Sequence, residues 1–172
     1  NVLAYIEGTD PALKDEVVII SAHYDHLGIS PSLKGDQVYN GAADNGSGTV
    51  ACLAMATAFM QAKQQGVGPK RSVLFINFSG EEKGLLGSKY FAARPTVPFS
   101  SIAANINLDM FLPLFPLKVI EVQGLTESSL GESVRAAAKE LGVEVQTDRE
   151  PEQNRFIRSD QYSFIRRGIP SL

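Results

Sequence analysis

Apolar positions in this chain follow two rhythms. Short unbroken apolar runs alternate with stretches in which apolar residues recur every three or four positions. Unbroken runs read as strands covered on both faces, and the periodic stretches read as helices. Val2 to Gly8 predicts a short strand closed by a Thr-Asp-Pro turn. Glu16 to Ala22 predicts a buried strand that delivers His23-Tyr24-Asp25-His26-Leu27-Gly28 at its C-terminal end. A polar loop follows to about Val38, then the segment Asn40-Gly41-Ala42-Ala43-Asp44-Asn45-Gly46-Ser47-Gly48. Thr49 to about Lys63 predicts a helix, with Val50, Leu53, Ala54, Thr57 and Ala58 on the face toward a sheet. Ser72 to Phe78 is a buried strand, and Leu85 to about Ala93 a helix stopped before Pro95. Ser101 to Met110 is a further strand ending in Asp109, and Lys118 to Val122 another. Ser128 to Leu141 predicts an amphipathic helix with Leu130, Val134, Ala137 and Ala138 inward and Gly142 after its end. Val143 to Val145 predicts a short strand, and Ser159 to Arg167 a helix that Ser159 can cap.

This alternation predicts an α/β fold: a three-layer domain with a mixed, mostly parallel sheet and helices on both faces. With 172 residues the chain can enclose one sizeable core. It starts at Asn1 rather than Met and stops as a new strand begins. The expectation is therefore one domain over 1–172, incomplete at the C-terminus and part of a longer chain. A net charge of -3 gives no electrostatic case for nucleic acid or an anionic membrane surface. The single cysteine, Cys52, excludes an internal disulfide framework and a cysteine metal cluster. No stretch reads as a membrane span or a signal peptide.

Polar, metal-capable residues fall at the ends of the predicted strands. His23 and Asp25 follow the first buried strand, Glu81 and Glu82 the second, and Asp109 the third, while Asp44 precedes a helix. A Glu-Glu pair alone is an ordinary polar loop, and His-x-Asp alone an ordinary structural histidine. The C-terminal ends of neighbouring parallel strands converge, however, and ligands bind there. One imidazole with several carboxylates at one rim suits a borderline divalent ion such as zinc. Such a cluster would repel itself without a cation.

The stretches Ser21-Ala22-His23-Tyr24-Asp25-His26, Gly41 to Gly48, Phe78 to Ser88, Asn107-Leu108-Asp109-Met110 and Ser159-Asp160 occur together and in order. In them the chain resembles the co-catalytic zinc exopeptidases of metallopeptidase family twenty-eight. These are the leucyl-type aminopeptidases, with glutamate carboxypeptidase II, the glutaminyl cyclases and the transferrin receptor as relatives. The resemblance implies that His23 and Asp109 hold one zinc, that Asp44 bridges two, and that Glu82 binds the second. It implies that Glu81 is the general base and that Asp25 hydrogen-bonds the far nitrogen of His23. Zinc lowers the pKa of bound water from about 16 to about 7, and two ions about 3.5–4 Å apart can act together on water and carbonyl. The implied activity is hydrolysis of the N-terminal peptide bond of peptides. Alternatives on the same scaffold are a glutamate-releasing carboxypeptidase, a glutaminyl cyclase, or a non-catalytic domain of the receptor type. The habit of relatives implies a secreted or periplasmic protein.

The sequence departs from the family at several points. The family's second zinc takes a histidine from a segment downstream of Gly168-Ile169-Pro170, beyond this chain. Only His23 and His26 are present. His26 lies close to His23 in sequence and reads as a loop, outer-shell or plain structural residue. The second ion is therefore expected to be weak here, and the fragment inactive for lack of that ligand. Gln161 stands where relatives often have histidine. Phe111 to Leu117 is an apolar loop that could line a pocket, core coil or a further contact. Arg155, Arg158, Arg166 and Arg167 form a basic cluster read as a solvated face.

Overall fold

The computed structural model describes residues 1–111 and 115–172. In chain order the elements are β1 (Val2–Ile6), β2 (Val17–His23), the short hairpin β3 (Gly28–Ile29) and β4 (Val38–Tyr39), and α1 (Gly48–Gln64). They continue with β5 (Ser72–Phe78), α2 (Leu86–Ala93), β6 (Ile102–Asn107), β7 (Val119–Glu121), α3 (Leu130–Glu140), β8 (Glu144–Gln146) and α4 (Gln161–Ile165). The main sheet has the order β1-β5-β2-β6. β2 runs parallel to both β5 and β6, and β1 lies antiparallel on the edge. Ser171 bridges Asn105 in parallel, so the residues after Gly168 lie along the free side of β6. The pairing of β2 with β6 shifts by one residue: Val17 faces Ile102, but Val18 faces Ala104.

Side-chain alternation divides the core between two faces. On one face Val17 and Ile19 of β2 and Leu74, Ile76 and Phe78 of β5 pack with Phe91 of α2 and Phe164 of α4. The rings of Phe78, Phe91 and Phe164 form a triangle with centroids 6.1–6.2 Å apart. On the other face Ile20, Ala22, Val73 and Phe75 pack with Cys52 and half-buried Met55, Ala56 and Phe59 of α1. Helices thus cover both faces of a mixed, mostly parallel sheet, as the sequence predicts.

The inward face of α1 differs from expectation. Val50 and Leu53 are 65% and 55% exposed, and Cys52 is the buried residue of that turn. The helix is apolar on two sides, and both sets share helical spacing. The set containing Met55 and Phe59 faces the sheet, where Phe59 meets Phe75 edge-on at 5.8 Å. Met55 and Phe59, with Cys52, offer more apolar area to bury than Val50, Leu53 and the alanines of the opposite stripe. In α3, Gly131 and Ala138 are buried, whereas Ala137 points out. Of the apolar loop 111–117, residues 112–114 lie outside the described residues, and Phe115 is exposed. Arg155 pairs with Glu121, Asp148 and Glu150 on the surface, in keeping with a solvated face.

Candidate metal centre

Three adjacent parallel strands end at the same rim, and each contributes a site residue. His23 is the last residue of β2, Glu81 and Glu82 follow β5 by three and four residues, and Asp109 follows β6 by two. Asp44 enters from the segment before α1. The Nε2 atom of His23 lies 3.2 Å from Asp44 Oδ1 and 3.4 Å from Asp109 Oδ1. Ligand atoms about 2.0–2.1 Å from a tetrahedral ion are roughly 3.3 Å from each other, so these spacings fit one zinc. Glu81 also brings an oxygen within 4.8 Å of ligand atoms of His23 and Asp109. A second group, His26, Asp44 and Glu82, meets the same limit.

His23 is 1% exposed, and its Nδ1 lies 3.0 Å from the Asp25 backbone carbonyl. An Nδ1–H donated to that carbonyl leaves Nε2 facing the carboxylates, where in the metal-free chain it carries a proton that a cation would displace. The contact expected from the Asp25 carboxylate is thus made by its main chain, and the carboxylate sits 3.8 Å from Nδ1. That carboxylate accepts instead from the backbone N–H groups of Glu81 and Glu82, at 3.1 and 3.3 Å. The short turn from β2 brings the Asp25 main chain under the ring, and the side chain is then free to hold the Glu-Glu turn.

Charge is concentrated here. Among the described residues, Asp25, Asp44, Glu81, Glu82, Asp109 and Asp160 have no lysine or arginine in ion-pair range. Burial pushes Glu81 up to about 8, with Asp160, Asp109 and Glu82 adding to the rise against the pull of His23. Burial disfavours the charged form of His23, but the contact with Asp109, the Glu81 charge and the Asp25 carbonyl outweigh it and hold the ring at about 9. Burial would raise Asp109 too, yet His23 and Ser159 hold it below its ordinary value. Asp160 is fully buried, burial lifts it to about 6 against a smaller opposing pull from Ser88, and among the described residues neither of its oxygens has an aligned hydrogen-bond partner. The protein retains the protons that a cation would replace. The donor set, imidazole and carboxylate oxygens, suits zinc.

Residues outside the predicted set hold these groups in place. Ser159 does not cap α4: its hydroxyl donates to Asp109 Oδ2 at 2.5 Å and accepts from Asn107 Nδ2 at 2.9 Å. Asn107 also donates to Gln161 Oε1 at 3.2 Å, while Gln161 donates to the Phe156 carbonyl at 2.8 Å. Gln161 is therefore tied into local packing beneath the rim. Asn45 is 1% exposed and joins two site segments. Its Oδ1 accepts from the N–H groups of Gly48 and Met110, and its Nδ2 donates to the Leu108 carbonyl. Asn45 adjoins Asp44 in a glycine-rich segment, and Leu108 and Met110 flank Asp109, so one side chain ties the Asp44 and Asp109 segments together. The adjoining motif stretches were visible in sequence; the cross-links between them were not.

Residues 1–172 match the description "Peptidase family M28". The chain is 29% identical over 176 residues to probable leucine aminopeptidase 2 of Aspergillus oryzae, covering 99% of this chain and 32% of that protein. It is 32% identical over 134 residues to aminopeptidase YwaD of Bacillus subtilis, covering 75% of this chain and 26% of that protein. A solved zinc aminopeptidase from Bacillus subtilis superposes with a TM-score of 0.72 at 27% identity, over 98% of this chain and 38% of that one. The Porphyromonas gingivalis glutaminyl cyclase shares the fold, with a TM-score of 0.66 at 21% identity over 99% of this chain and 60% of that one. The chain spans about a third or less of the length of these two curated relatives. No helix among the described residues is long and apolar enough to cross a membrane. The resemblance read from the motifs is borne out along the full sequence: this chain belongs to peptidase family M28.

Proposed function

We propose that residues 1–172 form the metal-binding part of the catalytic domain of a zinc aminopeptidase that releases N-terminal residues from peptides. The observation that carries this reading is the meeting of His23, Asp44, Glu81, Glu82 and Asp109 at one rim, with no lysine or arginine to balance them among the described residues. In this reading His23, Asp44 and Asp109 hold one zinc, and Asp44 and Glu82 contribute to a second. Zinc bound there supplies a Lewis acid for the scissile carbonyl and lowers the pKa of water to about 7. Glu81 accepts a proton from the attacking water and returns it to the leaving amine. Its burial keeps its proton affinity high enough for that work, and a neighbouring dication lowers it toward the working pH. The Asp25 carboxylate holds the backbone on which Glu81 and Glu82 are mounted. A rim rich in carboxylates also suits a substrate with a cationic free α-amine.

The deciding variant is Glu81→Gln, which keeps the shape and removes the base. Turnover of a free-amine peptide should fall by roughly 100- to 10,000-fold with bound metal unchanged. Unchanged turnover would sink the mechanism. Peptides with blocked amines, and peptides starting with glutamine, separate the aminopeptidase from the carboxypeptidase and cyclase alternatives. Hydrolysis of the blocked peptide, or ring closure without hydrolysis, would replace the aminopeptidase reading.

A further inference from the structure

We propose that the cleft between α2 and α4 is a binding site for a phosphate group, free or carried as a monoester, and it does not rest on the metal-centre reading above. The cleft has a volume of about 260 Å³. Lys89 and Ala92 of α2 line it on one side, and Tyr162, Ser163, Arg166 and Arg167, in α4 and the turn after it, on the other. It shares no residue with the carboxylate rim. Lys89, Arg166 and Arg167 are exposed, and among the described residues no carboxylate lies in ion-pair range of any of them. Arg155, from the same basic stretch of sequence, faces three acids. The metal rim shows the converse, acids without bases. The chain thus leaves charges of opposite sign unbalanced in two sets of residues, and a cation suits one as an anion suits the other.

The cations are held ready for an oxyanion. Arg166 Cζ lies 6.0 Å from the centroid of the Tyr162 ring, and Arg167 Cζ lies 5.1 Å from that of Phe99. Stacking uses the face of a guanidinium and leaves the N–H groups in its plane free to donate, which suits the oxygens of a phosphate. Lys89 donates to the Gly84 carbonyl at 2.8 Å and keeps its other N–H donors. The walls are fixed to each other. The hydroxyls of Ser88 and Ser163 meet at 2.8 Å, and the rings of Phe91 and Phe164 lie 6.2 Å apart. The floor, Ala92 and Ser163, is buried. A preformed cleft of this kind costs little ordering when it is filled. Three positive charges exceed what one carboxylate neutralises, which favours the phosphate dianion.

The test is calorimetric titration of the chain with inorganic phosphate and, separately, with O-phosphoserine, at low ionic strength and with chloride as the control. The wild-type chain should bind one equivalent. Similar affinity for both probes would assign the cleft to free phosphate as well as to esters, and a response to phosphoserine alone would assign it to phosphate carried on a larger molecule. Arg166→Met and Lys89→Met keep an apolar stem and remove a charge. Each should weaken binding by about 10- to 100-fold, and the double variant should abolish it. Both side chains are exposed, so the variants should fold, which circular dichroism checks. Phosphate also ligates zinc, so the titrations are repeated with chelator present; binding in the cleft survives chelation, and binding at the metal centre does not. No uptake of either probe by the wild-type chain, uptake lost on chelation of a still-folded chain, or undiminished uptake in the folded double variant would each overturn the proposal and leave the metal-centre reading untouched.

Discussion

Ser159 touches no proposed ion, yet one oxygen of Asp109 is aimed by its hydroxyl. Ser159→Ala leaves the Asp109 contact with His23 in place and releases that oxygen. The expected outcome is metal affinity lower by roughly 10- to 100-fold with an intact fold, measured by calorimetric titration. Asn45 works on the same principle, holding Gly48, Leu108 and Met110 with a single amide. At this scale the sequence reveals only part of the site. His23, Asp44, Glu81, Glu82 and Asp109 are legible because unbroken apolar runs end beside them, or a glycine-rich segment carries them. Ser159 and Asn45 are ordinary turn-forming residues in sequence, and their partners are 50 and 63 residues away. His26 is present in the motif, but which way its ring turns depends on a loop that no periodicity describes.

α1 illustrates where element-level reading succeeds and fails. Its extent is legible because it is a long run without Pro or an interior Gly, closed by Gly66. Its inward face is not, because apolar residues line both sides and only contact with Phe75 decides between them. The buried strands are read more securely, since a run covered on both faces has no outward side to misassign. The start of α1 also sets the spacing of the site. A Cβ on Gly48 would lie 2.4 Å from Asn45 Oδ1 and 2.5 Å from the Leu108 carbonyl. Gly48→Ala must therefore push the Asp44 segment away from the Asp109 segment. We expect a loss of about 1–3 kcal/mol in stability from overpacking, seen in denaturant unfolding, together with fewer metal equivalents per chain. Full metal content and unchanged stability would show that the helix start has slack.

The whole molecule carries the cost of its crowded rim, and pH exposes it. His23, Glu81 and Asp160 all have folded pKa values above their ordinary ones, at about 9, about 8 and about 6. A group shifted this way contributes stability that is complete below its unfolded pKa and lost as pH rises through its folded one. Asp109 is shifted down, so its contribution is lost only in acid. The metal-free chain should therefore melt at progressively lower temperature as pH rises from about 4.5 to about 9. Zinc at about 100 times its dissociation constant should restore about 2.7 kcal/mol, or roughly 5–10 °C for a chain of this size. Thermal melts across that pH range, with chelator and with zinc, check both slopes. A flat metal-free profile would mean the carboxylates are not strained by one another. The site also depends on something far from any charge. Opposite β2, β6 carries one residue more than straight pairing requires: Ala103 falls between the partners of Val17 and Val18. Above it Ser21 faces Asn107, which brings Asp109 level with His23. Straight pairing from Val17 and Ile102, with Ala103 facing Val18, would bring Leu108 there instead. A one-residue insertion after Ala104, five positions before the acid, would bring a leucine to the place of a proposed metal ligand without altering any reactive group. Chain length is thus as much a part of this centre's specification as the identity of its acids.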